Sequence, residues 1–106
     1  MSRDDERMLA LIEAGCRTAF GGRLRACLAF GSRARGTERE DSDLDVLIIL
    51  DRIDHYAREV DLTGELIADL SLRCGISISR VFISENEWLH GDSMFLQNVR
   101  EEAVAL

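Results

Sequence analysis

Phe30-Gly31-Ser32-Arg33-Ala34-Arg35-Gly36 runs through Thr37-Glu38-Arg39-Glu40-Asp41-Ser42 into Asp43-Leu44-Asp45-Val46-Leu47-Ile48-Ile49-Leu50, and this stretch decides how the chain is read. Leu44 to Leu50 is aliphatic and short, the pattern of a buried strand. Asp43 and Asp45 stand two apart, the strand period, so both carboxylates face one side. At a rise of about 3.3 Å per residue their Cα atoms lie roughly 6.5–7 Å apart. Two like charges beside an apolar run are costly unless a cation joins them. Carboxylates at this spacing can converge on divalent metals in a two-metal arrangement, and Mg²⁺ is satisfied by a few carboxylates plus phosphate oxygens.

Upstream, Arg23 to Phe30 begins as polar/apolar alternation and becomes wholly apolar, which predicts a strand running from an exposed end into a core. Gly31-Ser32 follows directly. Glycine permits a sharp turn and a close approach, and successive backbone N–H groups there, opening a short helix, form an anion cradle. The Ser32 hydroxyl adds a donor, and Arg33 and Arg35 lie within a turn of the cradle, in reach of phosphate oxygens. The other nearby arginines, Arg23, Arg25 and Arg39, read as solubilising surface groups. Gly31 to Ser42 is otherwise a loop.

Working outward, Ser2 and Asp5 match a helix N-cap with an acidic third residue. Leu9, Ile12, Cys16 and Phe20 recur at helical spacing, and Gly21-Gly22 ends the segment, which predicts a helix over Arg3 to Phe20. A second helix begins near Asp54 and runs to Cys74, with Val60, Ile67, Leu70 and Cys74 as its buried line and Gly75 as its stop. Ile76 to Ile83 is a third strand rich in β-branched residues. Ser84 caps a short helix with Glu87 at the capping-box position and Trp88 directed inward. Ser93 to Glu101 is a last helix, and the apolar tail Ala103 to Leu106 is placed to dock on the sheet or on a partner. The expected class is α/β (α+β): one domain over residues 1–106, a short mixed twisted sheet flanked by helices.

Composition sets the outer bounds. The chain has 106 residues, 46% hydrophobic and 31% charged, with a formal net charge of −7. A domain that grips duplex nucleic acid normally carries the opposite sign, so strong direct nucleic-acid binding is not expected. A basic spot on an acidic body suits a small polyphosphate instead. Met1 to Arg7 is polar and acidic rather than leader-like, and Val46 to Leu50 is far too short to span a bilayer, so a cytoplasmic protein without membrane attachment is expected. Cys16, Cys27 and Cys74 have no metal-ligand spacing and read as buried reduced thiols, while His55 and His90 read as surface or capping residues.

Gly31-Ser32, then ten residues from Arg33 to Ser42, then Asp43-Leu44-Asp45 on a hydrophobic strand resembles the signature of the DNA polymerase beta superfamily of nucleotidyltransferases. Ala34-Arg35-Gly36 and Ser42 also match. Ile78 to Trp88 resembles the third strand and following turn of the superfamily's small stand-alone members, and Phe95 to Ala103 their closing helix.

The resemblance implies a nucleotidyltransferase fold in which Gly31 and Ser32, helped by Arg33 and Arg35, hold a nucleoside triphosphate, with ATP expected. Asp43 and Asp45 bind Mg²⁺. The implied reaction is in-line attack by a hydroxyl on the α-phosphorus. Many members carry a third carboxylate on the next strand. Here Ser77 falls at that position, with Ser79 and Arg80 nearby, so either another acid such as Glu85 or Glu87 reaches in, a partner supplies the base, or nucleotide is held without efficient transfer.

No second domain is expected at this length, so the acceptor docks externally. Members of this size resemble the antitoxin half of toxin–antitoxin modules whose partners are helical HEPN-domain ribonucleases. The reading is therefore AMP transfer to a partner hydroxyl. The alternative is a catalytically weakened scaffold that neutralises its partner by binding, and transfer to a small molecule is the weakest option. Apolar faces on the last helix and tail make a homodimer or a heteromer an open expectation.

Overall fold

A computed structural model describes all residues, 1–106. Helix α1 spans Arg3–Phe20 and is followed by a 3₁₀ turn at Gly21–Arg23 and strand β1, Leu24–Phe30. A five-residue helix α2, Gly31–Arg35, opens the loop to strand β2, Leu44–Leu50. Then come helix α3, Tyr56–Cys74, strand β3, Ile78–Ser84, and helices α4, Glu85–His90, and α5, Met94–Glu102. Two caps are those the sequence predicts: Ser2 Oγ accepts from the Asp5 N–H at 3.0 Å and Ser84 Oγ from Glu87 at 3.2 Å. Ser93, read from sequence as the first residue of the last helix, caps it instead, its Oγ accepting from Leu96 at 3.2 Å.

The sheet has the order β1-β2-β3, with β1 antiparallel and β3 parallel to the central β2. The central strand β2 is the spine. Leu44, Val46, Ile48 and Leu50 face a core built with α1 and α3, around Leu9, Ile12, Cys16, Ile67 and Leu70. Leu47 and Ile49 face a smaller core with Ile83, Leu96 and Val99, closed by α5. Burial on both sides explains the unbroken aliphatic run, since each such side chain contributes about 1.5–3 kcal/mol when removed from water. The alternation also sets a direction. Asp45 shares parity with Leu47 and Ile49, so it points to the α5 side of the sheet.

Two registers place the site. The antiparallel pairing sets Phe30, the end of β1, opposite Asp45, so the chain turns at Gly31 beside that carboxylate. The parallel pairing sets Ser79 opposite Asp45. The tail docks as expected, with Val104 exchanging two backbone hydrogen bonds with Ala29 at 2.9 and 2.8 Å.

Three details differ from the sequence reading. The buried line of α3 is Glu59, Thr63, Ile67 and Leu70, while Val60 is only half-buried and Cys74 is exposed. Glu59 can be buried because the Arg23 guanidinium reaches it, and Thr63 because its hydroxyl donates to the carbonyls of Glu59 and Val60 and accepts from Arg80 Nε at 2.8 Å. Arg23 is thus a structural group rather than a solubilising one. Cys74 lies in the last turn of α3, at the mouth of a cleft beside Ser2, Met8 and Leu11. Cys16 and Cys27 are buried, as expected. Strand β3 begins at Ile78, two residues later than the β-branched run suggests, after Ser77 has given its carbonyl to the Leu44 N–H at 2.9 Å. No helix is long and apolar enough to cross a membrane.

Candidate functional site

Gly31 takes φ +77°, a conformation that favours glycine, and a Cβ at this position would collide with Asp45 Oδ2. The turn and the aspartate therefore touch only because residue 31 has no side chain. Gly36, also left-handed at φ +77°, caps α2, and Thr37 N–H returns to the Ser32 carbonyl at 2.9 Å. The Ser32 side chain is half-buried and hydrogen-bonds no protein group.

Asp43 precedes β2 and is exposed; Asp45 is half-buried within it. Neither carboxylate is hydrogen-bonded or ion-paired. The Asp45 carboxyl is raised above the ordinary aspartate range, first by burial and then by the negative charge of Asp43, with Arg35 opposing and Glu102 adding to the rise. An acid in this condition gains most from a cation that neutralises it. As a test of fit for Mg²⁺, the donor set is two unpaired carboxylates, hard oxygen ligands that leave most of the coordination sphere to phosphate and water, as that ion favours. No group of three or more His, Cys, Asp or Glu residues is arranged to hold a metal ion.

The two arginines of the turn part company. Arg33 is directed into the protein, where Nη1 pairs with the buried Asp5 at 3.0 Å and Nε donates to the Ser42 carbonyl at 2.9 Å. It ties α1 and the loop together, which corrects the expectation that it reaches phosphate. Asp5, read from sequence only as a capping-box residue, supplies the buried anion that draws it in. Arg35 instead stays at the cradle, with Nη1 2.8 Å from Glu102 Oε2.

Glu102 is the group that sequence reasoning missed. Its Oε1 accepts from the Gly31 N–H at 3.0 Å while its Oε2 holds Arg35. The Arg35 hydrogen bond chiefly, and the Gly31 N–H after it, hold this carboxyl below the ordinary glutamate range. Its only signal in the sequence is its place just ahead of the apolar tail. A shallow cleft of about 460 Å³ runs alongside, lined by Phe30, Gly31, Arg35, Phe95, Val99 and Glu102.

The third carboxylate of the expected pattern is absent from β3. Ser79 stands opposite Asp45, and Arg80 points to α3 through Thr63 Oγ1 and the Val60 carbonyl at 3.0 Å. Glu85 and Glu87 cannot replace it. They follow the far end of β3, which is seven residues long, so they sit roughly 20 Å from Asp45 at strand rise. Glu85 faces Arg25 there, at 3.5 Å.

The family model described as Polymerase beta, Nucleotidyltransferase matches residues 20–99, the span from the end of α1 to the middle of α5. A Methanocaldococcus jannaschii protein assigned as a protein adenylyltransferase, MJ0604, is 29% identical over 106 residues, which covers 97% of this chain and 98% of the relative. Among solved structures, a minimal nucleotidyltransferase superposes with a TM-score of 0.54 at 29% identity, over 94% of this chain and 89% of that one. A toxin–antitoxin crystal structure with AMP-PNP has a TM-score of 0.62 at 22% identity, over 91% and 69% of the two chains. At that identity the latter likeness concerns the fold.

Proposed function

The chain belongs to the polymerase beta nucleotidyltransferase family, and on that footing we propose that it moves AMP from Mg²⁺–ATP to a hydroxyl on a partner protein, a HEPN-type toxin. The observation that carries the reading is the contact of Gly31 with Asp45, which brings a phosphate-sized turn and an uncompensated acid pair to one point at the β1–β2 junction. The assigned activity of the relative MJ0604 supports AMP as the group transferred, and the toxin–antitoxin neighbour supports a protein partner.

In this reading Gly31 N–H, Ser32 Oγ and the Arg35 guanidinium bind and orient the triphosphate, and Asp43 and Asp45 hold Mg²⁺. The ion, when bound, supplies neutralisation of the charge that builds on the phosphate oxygens. The acceptor oxygen forms a bond to the α-phosphorus. The bond from that phosphorus to the bridging oxygen breaks, and pyrophosphate leaves with the electron pair. With Ser79 opposite Asp45, the hydroxyl proton passes to water or to a basic group on the partner. The chain's contribution is position and charge rather than covalent chemistry. Arg33 fixes the loop that carries these groups without touching the nucleotide.

The lack of an acid at Ser77, and at Ser79 opposite Asp45, also favours a second reading, a scaffold that binds and neutralises its partner with little transfer. One experiment separates the two. The purified chain is incubated with a candidate HEPN-type partner protein, Mg²⁺ and labelled ATP. Transfer adds one AMP to the partner, and Asp43→Ala or chelation of the metal abolishes it. Tight neutralising binding without label, unchanged by Asp43→Ala and Asp45→Ala, establishes the scaffold instead.

A further inference from the structure

We propose that Glu102 is a built-in occupant of the phosphate cradle, a carboxylate that a nucleotide must displace before it can use Gly31 and Arg35. The inference rests on the nucleotide reading of the site and adds to it a device that sets affinity.

The geometry carries it. One oxygen of Glu102 takes the Gly31 N–H at 3.0 Å, and the other takes Arg35 Nη1 at 2.8 Å. A carboxylate with two acceptor oxygens thus satisfies the same backbone and guanidinium donors that a phosphate group would engage. Both cannot be bound there at once. No group of three or more His, Cys, Asp or Glu residues is placed to hold a metal ion, so Glu102 is not read as part of a cation site.

The attachment is also easy to undo. The Arg35 side of the pair is half-exposed, and such pairs hold weakly in water. The chain just past Glu102 is anchored by the two hydrogen bonds between Ala29 and Val104, and the other end of α5 by the edge contact of Phe95 on Phe30, with ring centroids 5.5 Å apart. Swinging the Glu102 side chain away frees both donors without breaking either anchor. A triphosphate with its cation offers more charge and more acceptor oxygens than one carboxylate, so it wins the competition, at reduced net affinity.

The test measures ATP affinity calorimetrically, with Mg²⁺ present, for the intact chain, Glu102→Ala and Glu102→Gln. The Gly31 amide resonance is followed in parallel. Removing an exposed ion pair that competes with the ligand should tighten ATP binding about two- to fivefold in both variants. The Gly31 amide should shift in both variants before ATP is added, and should reach a common position in all three proteins at saturation. Glu102→Gln keeps the side-chain shape, so it decides the matter should Glu102→Ala disturb α5. A substitution that merely loosened the fold would weaken binding. If the intact chain binds ATP and both variants bind equally or more weakly, the inference is overturned while the nucleotide reading stands. If none of the three binds ATP, the nucleotide reading falls and the inference with it.

Discussion

The two ends of strand β2 treat acids in opposite ways. Past its C-terminal end, Asp51 accepts from the Arg52 N–H at 2.7 Å and from Arg23 Nε at 3.2 Å, and its carboxyl is held below the ordinary range by those bonds in that order. The same Arg23 reaches Glu59, buried on α3, and covers the ring of Phe20 at 5.6 Å. At the N-terminal end, Asp45 and Asp43 have no such partner, and the Asp45 carboxyl is pushed up. The fold can therefore neutralise its acids and does so where stability requires it. At the Gly31 end no side chain supplies that compensation, and in the proposed function a cation takes that part. A half-buried acid raised by burial and left without a partner marks a candidate functional group.

The largest effect should come from breaking the neutralised end. Arg23→Met strands Glu59, which is 2% exposed. The expected loss is about 2–3 kcal/mol in urea denaturation, toward the low end for breaking a buried pair because Arg23 itself stays partly in solvent. ATP affinity of the folded variant should be unchanged, which keeps the two ends separate.

Next comes Gly31→Ala, where a left-handed φ costs about 1–2 kcal/mol for a residue with a Cβ, and the methyl also displaces Asp45. Gly36→Ala is the control. It has the same φ of +77° and open space around it. Both variants should lose stability in thermal melts, but only Gly31→Ala should lose AMP transfer.

Smaller shifts should show opposite pH profiles at the two ends. Asp45 has a raised folded pKa, so its charge opposes folding once it ionises. Asp45→Asn should leave stability unchanged at acid pH, where Asp45 is protonated in both folded and unfolded chains. It should raise the melting temperature of the metal-free protein by a few degrees as pH climbs through the ordinary aspartate range to the raised value. Asp43, Arg35 and Glu102 all bear on this carboxyl, and none of them is altered. Asp51 has a lowered folded pKa, so it contributes stability above the ordinary aspartate range and loses it as pH falls through the folded value. Asp51→Asn should therefore be destabilising at neutral pH and silent in acid, with the smallest amplitude of the series because the group is partly exposed and its ion pair is screened. Matching profiles for the two variants would erase the contrast.

Much of this arrangement was legible in the chain itself. The run from Leu44 to Leu50 announced a strand, and the spacing of Asp43 and Asp45 announced two acids at its start. The caps Ser2 and Ser84 marked helix starts because their hydroxyls act on residues three positions away. What could not be read depended on partners distant in sequence. Arg33 looked like a phosphate ligand until the fold brought Asp5 to it across 28 positions, and Glu102 reaches Gly31 across 71. Glu59 and Thr63 broke the apolar line of α3 because Arg23 and Arg80, from outside the helix, satisfy them. The Glu85 alternative failed on strand direction, which no local pattern records.

The most direct test of the account titrates ATP into the chain with Mg²⁺ and again with the metal chelated, alongside Asp45→Asn. The account predicts that Mg²⁺ strengthens ATP binding by about tenfold or more and that Asp45→Asn removes that increment while remaining folded. Equal affinity with and without the metal, or an Asp45→Asn variant that keeps the full increment, would contradict it.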